Sequence, residues 1–558
     1  MAKINAIIVA LVLLSGLLLG MLTADRTLAH NQDTTTPSQK ELRVENAGST
    51  PSSTPSTPTD EEGASEQDRV ADVVLPGEPS YEQLKARANA KAQARQPSRG
   101  EGTNTSSLAP KATQNVLNSF EGGNDSTQHS DSNGAIGPSQ YIEVTNTEVA
   151  IYDRFSTTPK AQDTLENLTG QSGHIFDPMM IWDPDTQRFY YSTADTEYDT
   201  DKRIDFGFSK TSTPSAAADF CKYTIPLGSI HGDFPRLGDT KNFLLIASNN
   251  SDSDYIGSFL YSVAKPDPAV GSSCPDASTF PKVSQTQPLT DTSGTGVYDP
   301  VPANQVDGSG TGWVIARAGK LPASKLTIYK VDEGVDYTTP TNPKPTLDLS
   351  KVTPKDLSVD SYNLPADAPQ PDTKTLLDTL DAGPTQAVSA IDPYHGGAVA
   401  LWVQHTVYGG AGAQVRWYEI DPTTPALFQS GKQSDFLGRY IFNAAISPDR
   451  MNDGQTQQFG DSMILTFNSS STKQYPDIRM VSKEGSGSVS AEATIKPSLV
   501  AETSARGCTS SLCHWGDYPG ASSDPAASST GSHGQVWLTN MWVRSAGVWG
   551  TWNWTATP

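Results

Sequence analysis

The stretch HWGDYPGASSDP, His514 to Pro525, runs into a Gly/Ser-rich turn and then GQVWLTNMW, Gly534 to Trp542. A histidine, a tryptophan and an aspartate within four residues have the look of an isolated catalytic loop. The same pattern recurs, however. HIFDPMMIWDPDTQRFYYSTA starts at His174, HGDFPRLGDTKNFLLIASN at His231, and VYDPVPANQVDGSGTGWVIAR at Val297. PTQAVSAIDPYHGGAVALWVQ starts at Pro384, IFNAAISPDRMNDGQTQQFGDSMILTF at Ile441, and DSNGAIGPSQYIEVTN at Asp131. Each copy has a polar entry residue, a strand of small or apolar residues, a polar turn and a stronger apolar strand. That is one β-hairpin used seven times.

The entry positions are Asp131, Asp177, Asp233, Asp299, Gln386, Asn443 and Asp517, at intervals of 46, 56, 66, 87, 57 and 74 residues. Each interval holds four strands and their loops. Only 41 residues follow Asp517, so the segment from about Pro110 to Asp131 is expected to supply the outer strand of the last unit. This is how a β-propeller closes. The fold expected is all-β, a seven-bladed β-propeller over 110–558, with six blades as the alternative because the Gln386 and Asn443 copies align loosely. Strands that line the channel must be small for the blades to converge, as in GASS, NAAIS and QAVSA. Strands between sheets are bulky, as in FYYS, FLLIA, GWVIA and QVWLT. Of Trp182, Trp313, Trp402 and Trp537 most are expected in that inter-blade core, and one exposed at a channel mouth would be placed to stack on a sugar.

Composition agrees. Hydrophobic residues make up only 35% of 558, while Gly (45) and Pro (40) are abundant, which suits a turn-rich β protein. Residues 30–109 are rich in Ser, Thr, Pro, Gln and Glu and read as a disordered stalk. Within it Ser80–Gln96 has the sequence of a short basic helix, expected to be a transient part of the tether. Residues 1–29 carry Lys3 and a nearly unbroken apolar run from Ile4 to Ala24, which is either a cleaved export signal or an uncleaved anchor. Both place the chain outside the cytoplasm, secreted or held at the cell surface. Membrane contact is expected only through that segment, if it stays uncleaved.

The net charge is −22, and the body beyond residue 100 holds 30 basic against 50 acidic residues. Such a body repels nucleic acid, which is excluded as a partner. Four cysteines fit an oxidising compartment. Of three possible pairings, Cys508–Cys513 with Cys221–Cys274 is favoured because the first pair is local.

The motifs NSFEGGNDS, HIFDPMMIWDPDTQRFYYS, ISPD…SMILTFNSSS and HWGDYPGASSDP…VWLTNMW together resemble a family of secreted bacterial sialidase-like, BNR-type β-propellers of uncharacterised function. The resemblance implies fold and export and assigns no catalytic residue. Asp-box turns of the form SxDxGxxW are absent, and Arg236, Arg416, Arg439 and Arg479 show no sign in sequence of converging on one ligand.

Chemistry is therefore sought at the shared entry positions. Asp177, Asp233, Asp299 and Asp517 are expected at one channel mouth, preceded by His174, His231 and His514. The carboxylates cap backbone N–H groups at the blade entries, or they bind a ligand or a cation such as Ca²⁺. Asp131, in DSNG, is the weakest metal candidate. The three histidines form a shared metal site only if the repeats bring them together. No P-loop, GxSxG or HExxH motif occurs in the body. The sequence thus favours a glycan- or protein-binding module, with a glycoside hydrolase using acidic residues at the channel mouth as the alternative.

Overall fold

The computed structural model describes residues 42–48, 79–95, 115–127, 129–172, 174–196, 202–252, 254–267, 271–280, 282–339, 343–449, 460, 462–503, 507–509, 511–526 and 533–558. The apolar run expected to act as signal or anchor lies outside them. Among the described residues no helix is long and apolar enough to cross a membrane.

Seven antiparallel sheets form the blades of a β-propeller. Their innermost strands are Asn133–Ile136, Ile175–Asp183, His231–Asp239, Val297–Pro302, Pro384–Asp392, Tyr440–Pro448 and Gly520–Ser523, defining blades 1 to 7. The six-bladed alternative is excluded. Blade 7 has only three strands of its own. Its outer strand is Asn115–Asp125, paired antiparallel with Val548–Thr557 in the register Ser119↔Trp554 and Asp125↔Trp549. The N-terminal strand therefore closes the ring, as the short C-terminal remainder requires.

Each junction between adjacent blades has its own apolar cluster, supplied by the bulky second and third strands. Trp402, Trp417, Leu465 and Phe467 fill the junction of blades 5 and 6. At the closing junction Tyr141 stacks on Trp537 at 5.0 Å and Phe120 meets Tyr152 at 4.9 Å. Trp182, Trp313, Trp402 and Trp537 are all buried. At about 1.5–3 kcal/mol per fully buried large apolar side chain, these junctions dominate the favourable side of folding.

Two pieces of the segment read as stalk are placed on the propeller. Glu45–Asn46 adds a fifth strand to the edge of blade 2, with Val44 buried beneath it. Helix α1, Tyr81–Ala94, is capped by Ser80, whose hydroxyl accepts the Gln83 N–H. It docks on the propeller rather than standing free. Both expected disulfides are present: Cys221–Cys274 ties blade 2 to the loop after the third strand of blade 3, and Cys508–Cys513 closes a turn before blade 7. They are consistent with an extracellular protein.

Candidate functional site: the blade-entry face

The inner strands all begin at one face, and most carry a bulge there. The pairing register slips between Phe176 and Met179, Asp233 and Arg236, Tyr298 and Val301, Pro384 and Ala387, and Phe442 and Ala445. At these entries Asp177, Asp299 and Asn443 adopt left-handed backbone, with φ of 59°, 50° and 52°, as Asp131 does at 38°. Asp and Asn tolerate this conformation better than other non-glycine residues. That is one physical reason for the repeated Asp/Asn slot. In blade 3 the left-handed residue is Phe234, not Asp233.

The entry side chains and backbone join one blade to the next. Asn146 of blade 1 accepts the Asp177 N–H at 2.8 Å and donates to Asp131 Oδ2 at 2.8 Å. Asn249 of blade 3 accepts the Asp299 N–H at 3.2 Å and donates to Asp299 Oδ1 at 2.7 Å. Thr406 of blade 5 accepts the Asn443 N–H at 3.1 Å. Across the closing seam Asp131 Oδ1 accepts the Asp517 N–H at 2.6 Å. Capping at the entries thus operates between blades: Asp131 caps the Asp517 N–H, while the N–H groups of Asp177, Asp299 and Asn443 are capped by Asn146, Asn249 and Thr406 of the preceding blade.

The channel is filled at this level. Arg236 of blade 3 reaches across to blade 7, donates to the Asp517 carbonyl at 3.3 Å, and lies 3.5 and 3.7 Å from the Phe234 and Tyr518 rings. Gln386 of blade 5 exchanges hydrogen bonds with the Ala521 backbone of blade 7 at 2.5 and 3.1 Å. The other arginines do not converge with Arg236. Arg416 binds the carbonyls of Asp360 and Ser361, and Arg439 and Arg479 meet at Glu492.

Asp131, Asp177, Asp299 and Asp517 are all buried, and Asp233 is half-buried. Asp299 sits with Arg317 Nε at 3.2 Å, and Arg317 Nη2 lies 2.9 Å from Asp381. Burial and then the Asp381 charge push the Asp299 carboxyl well above the usual carboxylate range. Burial acts on Asp381 in the same direction, but the Arg317 charge and the hydrogen bonds the carboxylate accepts, that from the Gly383 N–H among them, together outweigh it and hold that group at about 2. Arg317 bridges the two carboxyl groups and compensates their charge.

The histidines divide. His174 is exposed, and His231 is half-buried against Phe176. Neither joins His514. That residue instead meets His129, with ring centroids 4.1 Å apart, and the ligating atoms of His129, Asp131 and His514 all lie within 4.8 Å of one another. His129 was missed in the sequence. Its signal was available, since it precedes Asp131 by the two-residue spacing that separates His231 from Asp233.

Helix α1 covers this face beside His514. Its Lys85 reaches Asp367 at 2.7 Å and Asp378 at 3.1 Å, and Asn89 donates to Asp367 at 2.8 Å. Ala88 and Ala92 pack with Leu377, Cys513 and Trp515. At the opposite mouth is a shallow depression lined by Trp182, Pro184, Asn304, Val306 and Ser522.

No family model matches the chain, and no curated protein matches it. Among solved structures it is similar to an ACO/RPE65 chimera at 10% identity, covering 69% of this chain and 74% of that one, with a TM-score of 0.35. Drosophila Plexin A in complex with Semaphorin 1b gives 8% identity, 79% and 87% coverage and a TM-score of 0.34. A subtype N11 neuraminidase-like protein of a flat-faced bat strain gives 11%, 54% and 69%, and 0.27. At these values the likenesses assign no activity to the chain, and the propeller assignment rests on its own strand topology.

Proposed function

We propose that the chain is an exported or cell-surface propeller that binds a glycan or an extracellular protein, and that its entry-face carboxylates serve the ring rather than a reaction. The observation that supports this most directly is the commitment of those acids. Asp131 accepts across the closing seam, and Asp299 is held by Asn249 and Arg317. A glycosidase needs two carboxyl groups about 5–10 Å apart, flanking a bond that can enter between them. Asp299 and Asp381 are instead bridged by Arg317, which occupies the space between them.

The surface proposed for binding is the opposite face, where loops at the far ends of the strands carry exposed rings. Phe155 of blade 1 is 87% exposed, Tyr337 of blade 4 is 67% exposed and Tyr394 of blade 5 is 56% exposed. Exposed aromatic rings present flat apolar area at low entropic cost, suited to a sugar face or a protein patch. The test is a glycan array with a pull-down from extracellular protein, run beside a screen of chromogenic glycosides. Capture that weakens tenfold or more in Phe155→Ala or Tyr394→Ala is expected. Glycoside turnover abolished by Asp233→Asn would overturn the reading.

A further inference from the structure

The seam between the last and first blades carries a set of groups that the inter-blade hydrogen bonds alone do not call for. His129 and Asp131 come from the segment entering blade 1, and His514 and Asp517 from the segment entering blade 7. All four are at least nine-tenths buried. His129 Nε2 lies 2.6 Å from Asp131 Oδ2, and His514 Nε2 lies 3.2 Å from Asp517 Oδ2. Two imidazoles face each other edge to face at 4.1 Å.

We propose that His129, Asp131 and His514, with Asp517 beside them, form a binding site for a divalent transition metal, Zn²⁺ by preference. The ligating atoms of the first three fit within 4.8 Å, a span that one ion at about 2.0–2.2 Å from each ligand can bridge with small side-chain adjustments. Two nitrogens and one or two carboxylate oxygens suit Zn²⁺. Ca²⁺, the cation given as one alternative for the ring of aspartates, takes six to eight oxygens, and this set does not supply them.

A second layer positions the ligands. Asn146 Nδ2 donates to Asp131 Oδ2 at 2.8 Å. Asp378 Oδ2 faces His514 Nδ1 at 4.0 Å, and Lys85 of helix α1 fixes Asp378. Such outer partners help to hold the ligating side chains in place. The ion would join the two ends of the ring, and helix α1 would shield it from water.

The experiment uses the full chain, stripped with chelator and titrated with Zn²⁺ against a chromogenic competitor, and with Co²⁺ read by visible absorption. The expected result is one ion per chain, a Co²⁺ band of low-symmetry coordination, and a metal-dependent rise in the melting temperature of the wild type. His129→Ala and His514→Ala should each weaken binding by about 100-fold or more. His395→Ala, which alters the separate Asp392–His395–Glu419 group, should leave it unchanged. Should the seam variants fail to fold, the wild-type stoichiometry, Co²⁺ band and His395→Ala decide. No wild-type uptake, unchanged affinity in a folded His129→Ala/His514→Ala double variant, or loss of binding in His395→Ala would overturn the proposal.

Discussion

Lys85 places its ammonium 2.7 Å from Asp367 Oδ1, joining a helix far upstream of the repeats to the loop between blades 4 and 5. Burial works against the Lys85 charge, yet Asp367 and Asp378 more than offset it and raise its pKa. Removing one partner of a buried pair leaves the other uncompensated. Lys85→Ala is therefore expected to release helix α1 while the propeller stays folded. Amide exchange over Tyr81–Ala94 should rise by about two orders of magnitude, with Val536–Ser545 unchanged. Unaltered protection in the helix would show that Lys85 does not hold it.

Closure by the N-terminal strand makes Phe120 a structural keystone of the seam. It is buried against Ile136, Tyr141, Tyr152 and Trp537. Phe120→Ala should cost about 3–5 kcal/mol. Denaturant unfolding should show that loss in the main transition, because the strand completes blade 7. A cost below about 1 kcal/mol would mean that the strand contributes little to the ring.

Near the same seam the Glu148 carboxyl is pushed up to about 7, first by burial and then by the charges of Glu143 and Asp125. A raised folded-state carboxyl favours the protonated form. Its destabilising effect is absent below the ordinary carboxyl range, grows as pH rises toward 7, and persists above it. Glu148→Gln should stabilise the protein by about 1–2 kcal/mol at pH 8, allowing for solvent screening, and by nearly nothing at pH 4.5. Melting curves at the two pH values check this. An equal shift at both would remove the carboxyl charge as the cause.

The repeats were legible because each blade needs a small inner strand beside a bulky second one, as in Gly520–Ser523 followed by Val536–Ser545. The missing outer strand was legible from chain length alone. Helix α1 was legible as a helix but not as a docked one. Its fully buried residues are Lys85, Ala88 and Ala92, whose spacing of three and four residues fits one side of a helix, with Tyr81 and Leu84 half-buried beside them. The partners of this face, the Lys85 ion pair and the apolar clusters it packs on, lie hundreds of positions away, and no local pattern records them. For the same reason His174 and His231 looked equivalent to His514. Only the ring geometry shows that His514 meets the first blade's His129.

Hydrogen bonds at the blade entries hold neighbouring blades together. Asn249 and Asp299 give the cleanest pair, joined by two hydrogen bonds across the junction of blades 3 and 4. A double-mutant cycle with Asn249→Ala, Asp299→Ala and the combined variant, read by denaturant unfolding, measures their coupling. A favourable coupling of about 1–3 kcal/mol is predicted. Additive losses, with no coupling beyond about 0.3–0.5 kcal/mol, would contradict the account.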